Sequence, residues 1–151
     1  MATGVRVVVD TNVWISGLLT AAGNPARIVD AMTARTFEPA VSPALLDELW
    51  AAGRKPRIVR RAPEIARGIE GLEKLLRERF ILVSPARLRP MARDPDDDEI
   101  LAAAIAASAT HVVSGDRDLL DDDAVRRALA GAGVILVTPA DFVRLLAPPT
   151  V

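Results

Sequence analysis

The chain has 151 residues, half of them hydrophobic, a formal net charge of −1 and no cysteine. That length suits one domain able to bury roughly 70% of its unfolded surface, and the missing cysteine excludes a disulfide scaffold and any thiolate metal site. No apolar run approaches the roughly 18 residues of a membrane span, and Arg6 and Asp10 come too early for a secretory signal, so a soluble cytoplasmic protein is expected.

Val5 to Val9 is a short β-branched run, read as a central strand buried on both faces, and it ends at Asp10-Thr11-Asn12. A helix starts with Val13 and Trp14, breaks at Gly23-Asn24-Pro25, and resumes through Ile28, Val29 and Met32. Phe37 to Val41 is a second strand. Ser42-Pro43 reads as an N-cap followed by proline, opening a helix that buries Leu45, Leu46 and Leu49. Arg54 to Arg61 is a basic, proline-interrupted connection, and a longer helix covers Pro63 to Arg79. Phe80 to Val83 is a third strand and Pro85 to Pro95 a loop. Asp98 opens an alanine-rich helix that leads into a fourth strand, His111 to Val113, ending at Ser114-Gly115-Asp116. Asp122 to Leu129 is a helix, Val134 to Val137 a fifth strand, and Thr138-Pro139 starts a last helix to Leu146. Residues 1–147 form a single domain, with 148–151 as a tail.

Strands alternating with helices imply right-handed crossovers, hence a three-layer α/β/α sandwich with a mainly parallel sheet of about five strands. In such sheets ligands sit beyond the carboxyl ends of the strands, where the strand order reverses. Asp10 and Asp116 each follow a strand, so neighbouring parallel strands would bring them to one edge. Asp98 is in the first turn of the helix leading to the Asp116 strand, and Glu48 is one turn into the helix after the second strand. Gathered carboxylates repel one another, and a divalent cation removes that conflict. With one histidine and no cysteine, the donors suit a hard ion such as Mg²⁺.

The near-neutral total conceals an uneven distribution. Of twenty acids, five lie in Asp94 to Glu99 and five in Asp116 to Asp123, while Arg54, Lys55, Arg57, Arg60 and Arg61 form one basic cluster. That cluster reads either as a solvated face or as a surface steering a phosphate backbone toward an acidic site.

Val-Val-Val-Asp10-Thr11-Asn12, Glu48-Leu49, Asp94 through Ala102, and Val112-Val113-Ser114-Gly115-Asp116-Arg117-Asp118-Leu119-Leu120 together resemble the PIN-domain family, in order and spacing, from Val5 to Leu146. The likeness is nearest to the VapC-like ribonuclease toxins of bacterial toxin–antitoxin pairs. It implies an acidic quartet at Asp10, Glu48, Asp98 and Asp116 that holds Mg²⁺ or Mn²⁺. It also implies supporting polar positions at Asn12 and Ser114, cleavage of RNA, a homodimer, and an antitoxin partner. Ser114 stands where that family often has threonine, which keeps the hydroxyl.

Plainer readings stand beside these. Asp10-Thr11-Asn12 also serves as a helix cap, and Asn12 argues against the phosphatases that need an acid there. A calcium loop from Asp94 fails, because its sixth and twelfth positions are Glu99 and Ile105. Asp97 rivals Asp98 as ligand. Asp118, Asp121, Asp122 and Asp123 suit capping and solubility, with a supporting role open for Asp118. Glu48 by itself is an ordinary surface acid, His111 is structural, and both Trp14 and Trp50 are expected in the core. Alternative functions are a housekeeping PIN ribonuclease without antitoxin and a binding module that no longer cuts.

Overall fold

The computed structural model describes residues 5–79, 81–82 and 95–146. The expected loop before Pro95 and the expected tail lie outside them. Four parallel strands make up most of the sheet: β1 (Arg6–Val9), β2 (Glu38–Val41), β4 (His111–Val113) and β5 (Ile135–Val137). The two-residue β3 (Ile81–Leu82) extends it beside β2, giving the order β3-β2-β1-β4-β5. Strand order therefore reverses between β1 and β4.

The pleat explains how β1 serves both layers. Val7 and Val9 point to one face and Val8 to the other, all at most 3% exposed. On the Val8 side lie α6 (Pro95–Ala106), α7 (Arg117–Leu120) and α8 (Asp123–Gly131), contributing Leu101, Leu119 and Leu129 to one apolar cluster. On the Val7 and Val9 side lie α1 (Thr11–Leu19), α2 (Asn24–Thr33), α5 (Pro63–Arg79) and α9 (Pro139–Leu146), contributing Trp14, Ile28, Ile69 and Phe142. The helix α3 (Pro43–Gly53) shares Leu45 with the first cluster and Leu46 and Leu49 with the second. The three-layer sandwich is thus present. Among the described residues no helix is long and apolar enough to cross a membrane.

Pro39 in an interior strand needs a reason, since proline cannot donate to a ladder. The Glu38 N–H bonds to the Val5 carbonyl on the β1 side. Alternation turns the Pro39 nitrogen toward β3, whose described pairing begins only at Ala40.

Several elements differ from the sequence expectation. Pro56 does not interrupt a connection. It starts α4 (Pro56–Arg61), because proline at the first helical position has its backbone angle already set and loses no hydrogen bond. Likewise Pro95 moves the start of α6 three residues ahead of Asp98. The four-residue α7, capped by Asp116, was not foreseen. Trp14 is buried at 2%, but Trp50 is 44% exposed, so the core placement is corrected for Trp50. It lies on the outer face of α3, where the Arg54 guanidinium sits 3.4 Å from its ring centroid.

At the amino edge of the sheet, Arg6 holds three elements. Its Nη1 donates to the Ala107 carbonyl at the end of α6 (2.7 Å), and its Nη2 lies 3.7 Å from Glu38 on β2. The Arg6 carbonyl accepts from both the N–H and the hydroxyl of Thr110, just before β4.

Candidate active site

The reversal between β1 and β4 places two chain ends side by side. β1 pairs with β4 in the register Val9–Val113, and the Asp10 N–H donates to the Val113 carbonyl at 2.9 Å. Asp10 and Ser114 are therefore neighbours across the ladder, one residue past the strands. Both chains then turn into helices, and each turn is capped by its acid. Asp10 Oδ1 accepts from the Asn12 N–H (3.3 Å) at the start of α1. Asp116 Oδ1 accepts from the Asp118 N–H (3.0 Å) at the start of α7.

The Ser114 hydroxyl joins the two acids. It donates to Asp10 Oδ2 at 2.8 Å and accepts from the Asp116 N–H at 3.1 Å. Ser114 is fully buried and Asp10 is 6% exposed, so this link is held by its surroundings as well as by its own bonds. Capping and site-building are the same arrangement here: one oxygen of Asp10 caps, and the other is bound by Ser114.

Burial raises the Asp10 pKa above the ordinary carboxylate value. The Ser114 and Asn12 hydrogen bonds oppose that rise, and the nearby Asp116 charge adds to it. A buried carboxylate with a second acid beside it is stabilised as an anion by a cation at the same place.

These acids open onto a cleft of about 360 Å³ lined by Asp10, Asn12, Val13, Ser16, Pro25, Gly115, Asp116 and Pro139. Its walls come from α1 and from the first turns of α2 and α9. Gly17 lets α1 and α2 meet there: a β-carbon at that position would lie 2.7 Å from the Pro25 carbonyl oxygen. Gly23, at φ 113°, makes the turn that brings Pro25 in.

The other expected site residues are placed differently. Glu48 is exposed on α3 and Asp98 is half-buried in the first turn of α6, while Asp97 is 8% exposed. Both helices begin at the carboxyl edge, α3 directly after β2 and α6 by returning to β4. Neither Glu48 nor Asp98 lines the cleft. Among the described residues no three His, Cys, Asp or Glu side chains close on one point as a metal cage would. Asp118 is exposed and contributes its backbone N–H to Asp116. His111 opens β4 at the opposite edge, with Nδ1 2.9 Å from the Thr110 hydroxyl and its pKa lowered by burial.

Sequence reasoning missed Val13, Ser16, Pro25 and Pro139 as cleft residues. The signal was available in part, since the Asn24-Pro25 and Thr138-Pro139 pairs each start a helix at the carboxyl edge.

The donor set fits a hard divalent cation. Two carboxylates facing one cleft suffice for Mg²⁺, which keeps several waters and binds through one or two carboxylates plus substrate phosphate. Asp10 and Asp116 are the residues that would hold it.

A model of the PIN domain matches residues 6–118, which takes in β1 through the first turn of α7 and so both cleft acids. The chain is similar to an uncharacterized protein of Methanocaldococcus jannaschii, MJ1680, with 25% identity over 141 residues, covering 92% of this chain and 90% of the relative. No solved structure gives a significant match. PIN domains are generally nucleases and typically use divalent metals. The strand order, the acids at its reversal and the extent of that match agree: the chain belongs to the PIN-domain family.

Proposed function

We propose that this protein is an endoribonuclease that depends on Mg²⁺ or Mn²⁺, with Asp10 and Asp116 holding the cation and Asp98 and Glu48 completing the set from the rim. The observation that carries the reading is the Asp10–Ser114–Asp116 link facing a cleft at the strand-order reversal of a PIN domain. When bound, the cation supplies a Lewis acid for the phosphate and a means of activating water. The chain's own groups do the positioning. Ser114 fixes the Asp10 carboxylate, Asn12 and Ser16 offer polar groups to the sugar–phosphate backbone, and Val13, Pro25 and Pro139 give an apolar wall against which a nucleotide can lie.

Within that reading the protein acts as a toxin restrained by an antitoxin, and works as a homodimer in the cytoplasm. Support for this comes from the order and spacing of the acidic motifs. Co-purification with the product of an adjacent small reading frame, and restored growth when both are expressed, would distinguish a toxin from a housekeeping ribonuclease.

The test of the catalytic reading is cleavage of a mixed RNA pool with Mg²⁺, Mn²⁺ or EDTA, beside the Asp10→Asn/Asp116→Asn double variant. Metal-dependent cuts that vanish in the variant support it. A second reading, a PIN module that binds without cutting, is favoured by the lack of three converging acids among the described residues. Equal behaviour of folded wild type and variant in every metal would make it the better account.

A further inference from the structure

The five basic residues that the sequence groups together are not equivalent. Arg54 is engaged, stacked on Trp50 and 3.5 Å from Glu70 of α5. Lys55, Arg57, Arg60 and Arg61 are all exposed, and among the described residues none of the four forms an ion pair. Three of them lie on α4, a helix with no buried residue, and Lys55 is its N-cap. Arg60 spends its Nε on the Pro56 carbonyl of its own helix and keeps its charge uncompensated. Four exposed, unpaired cations repel one another and take no part in the packing of α4 against α3 and α5, so the fold gives no reason for the cluster.

One residue separates the end of α4 from the start of α5. α5 packs against α1, with Gly68 in its second turn facing Leu18, and the same α1 contributes Val13 and Ser16 to the cleft.

We infer that α4 is a second RNA-binding site, separate from the cleft, at which Lys55, Arg57, Arg60 and Arg61 hold the phosphate backbone of a strand whose scissile segment lies at Asp10 and Asp116. This rests on the nuclease reading for its purpose, though not for its test. A backbone of phosphates is favoured over an acidic protein segment because, beside its cations, α4 exposes little apolar surface, at Pro56 and Val59. Phosphate contact needs charge alone, whereas a protein segment needs apolar area to be buried. The consequence is selection by length: an RNA that fills the cleft but cannot reach α4 is held weakly.

The experiment is fluorescence-anisotropy binding in EDTA of an unstructured RNA of about 20 nucleotides, from ~50 to ~200 mM salt, to wild type and to Lys55→Gln/Arg57→Gln/Arg60→Gln/Arg61→Gln. Removing four phosphate contacts should weaken binding at least about tenfold at low salt and reduce the slope of log K against log salt by about 3. With an RNA of about four nucleotides the two proteins should converge, since too few phosphates remain to be neutralised. Because the four substituted side chains are exposed, the variant should melt as the wild type does, and Arg57→Lys should keep most of the affinity. Unchanged affinity and slope in the folded variant would overturn the site. A poly-glutamate peptide bound more tightly than RNA, and lost in the variant, would assign α4 to an acidic protein instead. Since EDTA prevents cleavage, RNA binding by α4 together with no cleavage in any metal would count against the nuclease reading alone.

Discussion

Asp10 is bound at both carboxylate oxygens, its partner Ser114 is fully buried, and the bond between them joins the ends of two strands paired in the sheet. α4 is the opposite in every respect: it buries none of its residues, its cations are exposed, and its only side-chain bond is to its own backbone. The difference follows from what each region has to recognise. A metal and a scissile phosphate demand placement to fractions of an ångström, which only the packed centre of the sheet provides. A polyanion demands charge and reach, which exposed cations on a peripheral helix provide.

The comparison can be broken most directly at its rigid side. Asp10→Asn should abolish cleavage, with a loss beyond the roughly 10–100-fold that outer-shell partners cost, while leaving the fold intact because asparagine also caps helices. Ser114→Ala should lower activity by that roughly 10–100-fold through misplacement of Asp10, and Ser114→Thr should restore most of it. Retained activity in Ser114→Ala, measured by single-turnover kinetics, would mean the buried link is structural only.

Packing under the site makes a smaller but firm prediction. Leu101 is fully buried on α6, and Leu101→Ala should cost about 2–5 kcal/mol in denaturant titration. Gly17→Ala drives a methyl into Pro25 and should cost about 1–3 kcal/mol while altering the cleft. By contrast Arg57→Gln should stay within about 0.5 kcal/mol.

The smallest effect sharpens the electrostatics. The Asp10 pKa is raised in the folded state, so above the unfolded value of 3.8 the unfolded chain ionises more readily than the native one. Asp10 therefore costs stability as pH rises through the window above 3.8, and the cost is absent below it. In metal-free buffer Asp10→Asn should melt a few degrees higher at neutral pH, with the gain vanishing as pH falls below that value. A gain that grows on acidification would contradict the burial argument.

The strands and most helices were legible because their signals are local: the Val7–Val9 run, the Ser42-Pro43 cap, the alanine-rich repeat leading to His111. The acids after β1 and β4 were legible because a residue's place after a strand also tells where it emerges. Pro56 and Pro95 misled because proline breaks a helix in its interior but favours it at the first turn, and which of these applies depends on the residues that follow. Trp50 misled because a tryptophan at α3's outer face looks, in sequence, like one at its inner face. Arg54, four residues on, was the available hint that a cation covers it. The cleft walls at Pro25 and Pro139 lie far apart in the chain, and only packing joins them.

Arg6 grips the carbonyl of Ala107, the residue that follows α6, while Asp97 and Asp98 occupy the first turn of that helix. Twelve residues of helix amount to a strut of roughly 18 Å between them. The strut is tied at its far end to the same strand that delivers Asp10, so β1 holds α6 with its first residue and leads into Asp10 with its last. Loosening that tie would act from the amino edge, at the end of the sheet opposite the Asp10–Ser114–Asp116 link.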